Sequence, residues 1–350
     1  MKIAIKYSGL ILEPDGLVGG HDAGATLVRR LLRVFPGAEL IAPQVHRYPD
    51  FDVLPLEMVD GDTTVVINMD VTDSTAVWMT LKDNTDQPKL MNFMWWNWTR
   101  YHSTVELSTL SLSAALFPTF ANSERTAKAL QEYVRRWTVP PLAERARIAW
   151  VNLGIRLEHL QERHEPDRPV VLYPAIYMSE RKQPQVFIDV VSKVAKKTPI
   201  RAVARLVEQH LVSRPAMALS RNKWAWVGPL TPHRYQYWEA LSSTTAFLAT
   251  AREETYGLEY IEALLAGAIG VLPDHDWARA IVPESYPFFY RTPAEAEAML
   301  LRAVTETEAC RQEMDQAAGG SLVEWLKQHH NEDVFEHSIA EQVRRWFGDF

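Results

Sequence analysis

The residues with the clearest chemical potential lie in one short stretch, residues 251–274 (AREETYGLEYIEALLAGAIGVLPD). Glu254 precedes a predicted helix, Gly257 lies near the start of that helix, and Glu262 follows Glu254 with seven residues between them. Free backbone N–H groups and the positive dipole end at a helix N-terminus bind anions, and a nearby carboxylate can accept hydrogen bonds from hydroxyl groups. The stretch therefore suits a sugar carried on a diphosphate. An ordinary strand–loop–helix unit with two solvated glutamates is the alternative that spacing alone leaves open.

The elements that must position these residues alternate between strand and helix along the chain. In the first half, apolar patterning predicts strands at residues 2–7, 39–42, 64–68, 89–94 and 115–121, with helices at 26–35 and 124–137. In the second half, it predicts strands at residues 170–173, 200–204, 224–227, 246–250 and 268–272, helices at 184–196 and 235–242, and a helical tail at 322–350. Ser123 is the predicted N-cap of the helix at 124–137. Such alternation implies an α/β protein whose parallel sheets are covered on both faces.

The two sets of elements are separated by a segment of different character, residues 138–167. Pro140, Pro141 and Pro166 interrupt it, and a charged run within it is typical of a solvated surface. The chain of 350 residues also exceeds the usual size of one domain. We therefore expect two domains with an interdomain linker in this segment.

Composition excludes several classes of protein. A net charge of −7 argues against a nonspecific nucleic-acid binder, and no apolar segment approaches the roughly 18 residues that a membrane span needs. Cys310 is the single cysteine, which excludes an intramolecular disulfide and a cysteine-rich zinc site and fits a reducing cytosol. The N-terminus is predicted to be a first strand and not a signal peptide, so we expect a cytoplasmic protein. Nucleophile-elbow, HExxH and P-loop motifs are absent, so hydrolase and nucleoside-triphosphatase functions have no support.

The stretch at 251–274 resembles the C-terminal signature of retaining GT-B glycosyltransferases, above all those of glycosyltransferase family 4. The positions that match the signature are Glu254, Tyr256, Gly257, Leu258, Glu262, Ala263, Ala266 and Gly267. Other segments resemble the same family in the same order, namely PTFANSERTAKALQEY, VNLGIR, SERKQP and WVGPLTPHRYQYWEALSSTTAFLAT. The resemblance implies the GT-B fold, with two Rossmann-like domains whose parallel sheets face each other across a cleft and a C-terminal helix that crosses back. The implied domains are residues 1–160 for the acceptor, 161–335 for the nucleotide-sugar, and 336–350 for the returning helix.

The resemblance also implies an activity. It predicts a retaining glycosyltransferase of the hexosyltransferase class that moves a sugar from a nucleotide-diphosphate-sugar donor to a small-molecule, glycan or other acceptor, without a metal ion or another cofactor. The first alternative is a non-catalytic sugar-nucleotide-binding protein that acts as the partner of another transferase. Further alternatives on the same fold are a sugar-nucleotide epimerase and a DNA-base glucosyltransferase, and the acidic balance disfavours the latter.

The family's donor-site residues can be carried over position by position. Lys182 is predicted to hold the diphosphate and Glu254 to lie beside the sugar ring, and both are assigned to catalysis. A side-chain cation can stabilise the charge that the leaving diphosphate gains. Glu262 matches the carboxylate that binds the ribose, and Gly257 and Leu258 match backbone amides that bind phosphate. The remaining predicted donor contacts are Arg181, Gly19, Gly20 and Tyr256.

One donor position and the acceptor side depart from the family. Tyr177 stands where the family has an arginine, and Arg181 or Arg205 is the candidate replacement. A histidine that many relatives carry at the end of the strand at 89–94 is missing. The predicted acceptor contacts are His21, Asp22, Trp95 and His102.

The tryptophan run and the Asp-x-Asp triplets each allow more than one interpretation. The run Trp95-Trp96-Asn97-Trp98 could stack on an acceptor ring or form a buried cluster. The triplets at residues 50–52 and 274–276 have the Asp-x-Asp form that holds a metal in GT-A enzymes, but neither has a convincing context, and no metal site is predicted.

Overall fold

The computed structural model describes residues 1–14, 16–20, 23–96, 101, 103–231 and 233–349. The chain divides into two compact units. The N-terminal unit comprises Met1–Leu153 together with Asp333–Phe350, and the C-terminal unit comprises Gly154–Glu332. The division after Leu153 falls within the segment that the sequence predicts as a linker. None of the helices in the described ranges combines the length and apolarity that crossing a bilayer requires.

A largely parallel sheet organises the N-terminal unit. Its described strands are β1 (Lys2–Lys6), β2 (Glu39–Ile41), β3 (His46–Arg47), β4 (Asp52–Leu54), β5 (Thr64–Asn68), β6 (Lys89–Met94), β7 (Thr119–Ala121) and β8 (Ile148–Trp150). They lie in the order β3-β4-β2-β1-β5-β6-β7-β8, and only the β3–β4 pair is antiparallel. Every residue of β5 is buried, as expected for a central parallel strand that is covered on both faces.

The helices of this unit confirm one sequence prediction and correct two. They are α1 (Ala23–Val34), α2 (Ser74–Lys82), α3 (Thr104–Leu116), α4 (Glu124–Trp137) and α5 (Pro140–Arg145). Ser123 caps α4 by accepting a hydrogen bond from the Thr126 amide, as predicted. The predicted strand at 115–121 was too long, because α3 continues to Leu116 and stops before Pro118, which disfavours helical backbone in the residue ahead of it. The predicted linker also contains α5, which begins at a proline, and β8.

The C-terminal unit contains a second sheet, and every described strand pair in it is parallel. Its strands are β9 (Val170–Tyr173), β10 (Arg201–Leu206), β11 (Ala225–Pro229), β12 (Ala246–Leu248), β13 (Ile269–Pro273) and β14 (Phe289–Tyr290). Its helices are α6 (Pro184–Ala195), α7 (Glu208–Leu211), α8 (Arg214–Ser220), α9 (Arg234–Ser242), α10 (Leu258–Leu265), α11 (Asp276–Arg279), α12 (Pro293–Thr305), α13 (Thr307–Ala317) and α14 (Leu322–His329). The strand order is β11-β10-β9-β12-β13-β14, so the direction of chain progression reverses between β9 and β12. We call this position the C-terminal switch point.

The predicted single helical tail is two helices, α14 and α15 (Glu332–Phe347). They are separated because Asn331 forms an isolated parallel bridge with Ile155, which requires extended backbone. From Asp333 onward, α15 belongs to the N-terminal unit. The ring of Phe335 lies 6.0 Å from that of Phe93 and 6.3 Å from that of Phe120, so α15 contributes to the core of that unit.

Gly154 allows the close backbone approach at this bridge. The amide of Ile155 donates to the carbonyl of His330 over 2.7 Å. A Cβ atom on Gly154 would overlap the backbone of Asn331 and the amide nitrogen of Glu332. Two backbone segments pass each other here, and neither can yield as a side chain could.

We therefore predict that Gly154→Ala destabilises the C-terminal unit by about 1–3 kcal/mol, the usual cost of forcing extra volume into a packed site. Gly320→Ala is the matched control, because a Cβ there meets nothing within 4 Å. Urea unfolding measures both variants. Equal unfolding midpoints for the two would contradict the proposed close approach.

Candidate functional site

The C-terminal switch point brings two loops to the same edge of the sheet. Residues 174–183 follow β9, and residues 249–257 follow β12, which pairs directly with β9. In open α/β sheets, ligands bind beyond the carboxyl ends of the strands at such a reversal. Lys182 lies in the first loop and Glu254 in the second, so the topology places both predicted catalytic residues at the expected edge.

Lys182 and Glu254 are in direct contact. The Lys182 ammonium forms ion pairs with Glu254 and, over 2.8 Å, with Glu259. Lys182 and Glu254 are each 6% exposed, so neither belongs to a solvated loop. The backbone of the lysine is also fixed, because the Thr250 hydroxyl donates to its carbonyl over 2.7 Å. The alternative of solvated side chains is therefore wrong for these two residues.

Two further contacts hold this pair in place. The Tyr260 hydroxyl donates to Glu254 over 2.9 Å. The Lys182 ammonium lies 5.6 Å from the centre of the Tyr260 ring, within the range of a cation–π contact. One tyrosine therefore orients the carboxylate and stabilises the cation.

Gly257 determines where α10 begins. It is the N-cap of this helix, with φ of 88°, a left-handed conformation that glycine adopts without strain. A Cβ there would also lie 2.9 Å from the Tyr260 ring. Leu258 is the first helical residue. The amides of Tyr260 and Ile261 donate to the Gly257 carbonyl, so within the described chain the amides of Leu258 and Glu259 are the ones without a backbone partner, directly after the loop that carries Glu254.

Charge and burial act in opposite directions on Lys182. Burial alone lowers its pKa, but the charges of Glu259 and Glu254 outweigh burial, and the pKa lies above the usual lysine value. Burial raises the pKa of Glu254; Lys182 opposes that rise and Glu259 adds to it. Burial and the charge of Glu254 also raise the pKa of Tyr260, which therefore remains a hydrogen-bond donor. The arrangement is one permanent cation that faces two carboxylates.

Glu262 is held by a separate set of partners. Arg234 forms an ion pair with one of its carboxylate oxygens, and the Tyr237 hydroxyl donates to the other over 2.6 Å. The Arg234 guanidinium also lies over the rings of Tyr237 and Trp238. Glu262 is 6% exposed, so it too is a structured group and not a solvated one.

Tyr256 is buried beside His330. Its hydroxyl lies 2.5 Å from His330 Nδ1, and His330 Nε2 lies 3.2 Å from the carbonyl of Ile281. Burial lowers the pKa of His330 to about 4, so the ring is neutral near pH 7. A neutral ring that donates from Nε2 accepts the Tyr256 hydrogen bond at Nδ1. The hydroxyl of this predicted donor contact is thus directed to a histidine.

The other cationic candidates of this unit, Arg181 and Arg205, have different surroundings from Lys182. Arg181 is exposed, and its carbonyl accepts from the Arg252 amide. Arg205 lies over the Trp226 ring at 4.9 Å, and its Nε is buried without a hydrogen-bond partner in the described chain. Tyr177, at the position of the family arginine, packs edge-on against His210.

The predicted residues of the N-terminal unit are partly described. Gly20 has a φ of 90°, and Arg29 of α1 donates to the carbonyls of Val18 and Gly20, which fixes the glycine pair Gly19-Gly20. His21, Asp22 and His102 lie outside the described residues.

Trp95 and Trp96 have different environments. The Trp95 ring meets Tyr7 edge-on at 5.7 Å, and its indole N–H donates to the carbonyl of Met69. Trp96 is 7% exposed within a core cluster, so for Trp96 the buried alternative is the correct one.

One aspartate of each Asp-x-Asp triplet forms an ion pair with arginine. Asp52 pairs with Arg47, and Asp274 pairs with Arg279 and Arg291. Across the residues that the structure describes, no group of three or more histidine, cysteine, aspartate or glutamate side chains is arranged to hold a metal ion.

Sequence reasoning missed Glu259, Arg234 and Tyr237. Glu259 had an available signal, because an acidic residue in the first turn of a helix interacts with its N-terminus. Arg234 and Tyr237 lie 28 and 25 residues from Glu262 along the chain, and no local spacing predicts that contact.

Comparison with solved structures identifies the fold. The chain is similar to sucrose-phosphate synthase from Thermosynechococcus elongatus, with a TM-score of 0.72 and 12% identity over 99% of both chains. It is similar to the trehalose-6-phosphate synthase OtsA, with a TM-score of 0.69 and 10% identity over 99% of both chains. It is also similar to Anabaena HepE in complex with UDP and glucose, with a TM-score of 0.69 and 15% identity over 98% of this chain and 99% of that one. No protein-family model and no curated protein matches the chain. At these identities the likeness shows the fold alone, which is GT-B as predicted.

We predict that Lys182→Met destabilises the C-terminal unit by about 3–5 kcal/mol, because it leaves Glu254 buried without its cation. Adding Glu254→Gln should recover part of that loss. Lys197→Met is the matched control: its ion pair with Glu297 is on the surface, where a pair contributes about 0–1 kcal/mol. Urea denaturation measures all three variants. Equal losses for Lys182→Met and Lys197→Met would contradict a buried pair.

We also predict that the protein loses stability as the pH falls from about 6.5 to 4. The pKa of His330 is depressed to about 4 in the folded chain, so in this window the unfolded state binds the proton and the folded state does not. The loss attributable to this group is up to about 3 kcal/mol. His330→Asn should flatten the pH dependence of the melting temperature, whereas His337→Asn, at an exposed position of α15, should not. A wild-type slope in His330→Asn would overturn the assignment.

Proposed function

We propose that this protein is a glycosyltransferase that moves a sugar from a nucleotide-diphosphate-sugar donor to an acceptor hydroxyl. The observation that carries the proposal is the buried Lys182–Glu254 pair at the C-terminal switch point, directly before the free N-terminus of α10. A buried cation near the N-terminus of a helix suits an anion, and a carboxylate within the same cluster suits sugar hydroxyls. One of the solved structures described above supports the same class of donor, since HepE was solved with UDP and glucose.

The groups at the C-terminal switch point suit a reaction in which the diphosphate is the leaving group. The bond between the anomeric carbon and the donor phosphate oxygen breaks, and its electron pair remains on the diphosphate. Lys182 and the amides of Gly257 and Leu258 stabilise that charge without a metal ion. The Lys182 ammonium is held at this site by its ion pairs with Glu254 and Glu259.

We propose that the acceptor attacks from the face that the diphosphate leaves. The acceptor oxygen forms the new bond to the anomeric carbon, and its proton passes to the released phosphate oxygen. The configuration at the anomeric carbon is therefore retained. Glu254 is held by both Lys182 and Tyr260 and stabilises positive character at the sugar ring.

The remaining predicted roles extend this proposal. Glu262 binds the ribose, provided that a ribose hydroxyl replaces Arg234 or Tyr237 as its partner. The N-terminal unit, with Trp95 at the carboxyl end of β6, binds the acceptor. A non-catalytic donor-binding protein is the alternative that the same assay separates, because it would bind donor without breaking it down.

We predict that Lys182→Ala and Glu254→Ala each lower kcat by about a hundred- to a thousandfold, as expected when one charged group of a desolvated site is lost. Donors are first chosen by thermal shift across UDP-, GDP-, ADP- and TDP-sugars, because a ligand raises the melting temperature with its affinity. Release of nucleoside diphosphate in the presence of candidate acceptors then measures turnover. Lys197→Ala, at the surface ion pair, is the control and should keep wild-type turnover. Near wild-type transfer by either site variant would refute the assignment.

The same assay tests the remaining parts of the proposal. Added EDTA should leave the rate unchanged, and strict dependence on Mn²⁺ would contradict the metal-independent mechanism. The anomeric configuration of the product, read by NMR, should equal that of the donor sugar. An inverted product would rule out same-face substitution.

A further inference from the structure

Glu259 has no role in the proposed function, yet it contacts the cation at the centre of it. Its carboxylate lies 2.8 Å from the Lys182 ammonium. Its side chain is 33% exposed, whereas those of Lys182 and Glu254 are 7% and 8% exposed. Of the three charged groups, Glu259 is the one that solvent, and hence a ligand, can reach.

The position of Glu259 on α10 directs it toward the anion-binding end. It is the second helical residue, after the N-cap Gly257 and Leu258. Side chains on a helix lean toward its N-terminus, so this carboxylate lies over the first turn, where the free amides open. A protein carboxylate therefore occupies the charge environment that a diphosphate needs.

We propose, on the basis of the function proposed above, that Glu259 is a built-in competitor for the diphosphate of the donor. In the free protein it neutralises Lys182, and the incoming diphosphate replaces it. Glu254 keeps its contact during this exchange, because it is buried and also bound by Tyr260.

This exchange has a consequence for selectivity. The cost of displacing Glu259 is the same for every anion that enters, whatever else that anion carries. Ligands with few other contacts, such as orthophosphate, then bind too weakly to occupy the site, whereas a nucleotide-sugar gains additional contacts through its base and ribose. Glu259 thereby protects the site from small anions, and it weakens the hold on the nucleoside diphosphate product to the same degree.

Calorimetry with pyrophosphate and with the nucleoside diphosphate of the preferred donor tests the proposal. Glu259→Gln keeps the size of the side chain and removes the charge, so the Kd of both ligands should fall about three- to fivefold, the upper end of the effect of one partly exposed charge pair. The two ratios of wild-type to variant Kd should be equal, because the base and ribose take no part in the exchange. Orthophosphate should become an inhibitor of the variant at concentrations that leave the wild type active.

The matched control is Glu239→Gln on α9, which removes the same charge from an exposed side chain that has no ion pair in the described chain. It should leave both Kd values unchanged. If both ligands bind the wild type and Glu259→Gln with the same Kd, the role of Glu259 is overturned and the proposed function remains intact. Tightening that occurs for the nucleotide but not for pyrophosphate would also overturn it, because Glu259 would then act on the nucleoside. If neither ligand binds the wild type or the variant, both the proposed function and this inference are wrong.

Discussion

The burial of one ammonium group, that of Lys182, is the constraint on which the candidate site depends. A charge that is removed from water costs several kcal/mol unless partners surround it, so the fold must supply those partners from elsewhere in the chain. It does so from the loop after β12 and from α10, which reach Lys182 because β12 pairs with β9 at the reversal of strand order. Glycine at position 257 lets α10 begin close enough for Glu259 and Tyr260 to contact the same cation. The strand order and the position at which α10 begins therefore together determine which charges surround Lys182.

The N-terminal unit contains a similar cluster of one lysine and two carboxylates that is less deeply buried. Lys6, at the end of β1, contacts Asp70 and Asp73, which follow the neighbouring strand β5. In this case Asp70 also accepts from the amide and the hydroxyl of Ser8, so the cluster joins two loops and its hydrogen bonds are internal. The two clusters differ in burial, because the Lys182 side chain is 7% exposed and that of Lys6 is 17% exposed. A lysine between two carboxylates therefore occurs at the strand ends of both sheets, and the more deeply buried one is the candidate site.

Most of the fold could be predicted because parallel strands such as β5, β6 and β9 are mainly apolar, and their bounds matched the predictions. Errors arose where tertiary contacts decide: α5 lies within a proline-rich segment, and the tail is divided at Asn331 by a bridge to a residue far away in sequence. For the site, the resemblance to the family motifs identified Lys182, Glu254 and Glu262 as candidates, but it gave no information about their partners. Arg234 and Tyr237 reach Glu262 through the packing of α9 beside α10, which no short window of sequence encodes.

These partners change how the motif should be understood. A carboxylate that is predicted to bind ribose already has both oxygens occupied, and a lysine that is predicted to bind phosphate already faces two negative charges. The cluster of Lys182, Glu254 and Glu259 therefore has one positive group and two carboxyl groups, although an anion is the proposed ligand. The free protein keeps its buried charges stable by pairing them internally, and a ligand binds only to the extent that it makes better pairs than the protein makes with itself. Under the proposed function, selectivity for a donor follows from the strength of these internal pairs as much as from the contacts that the donor gains.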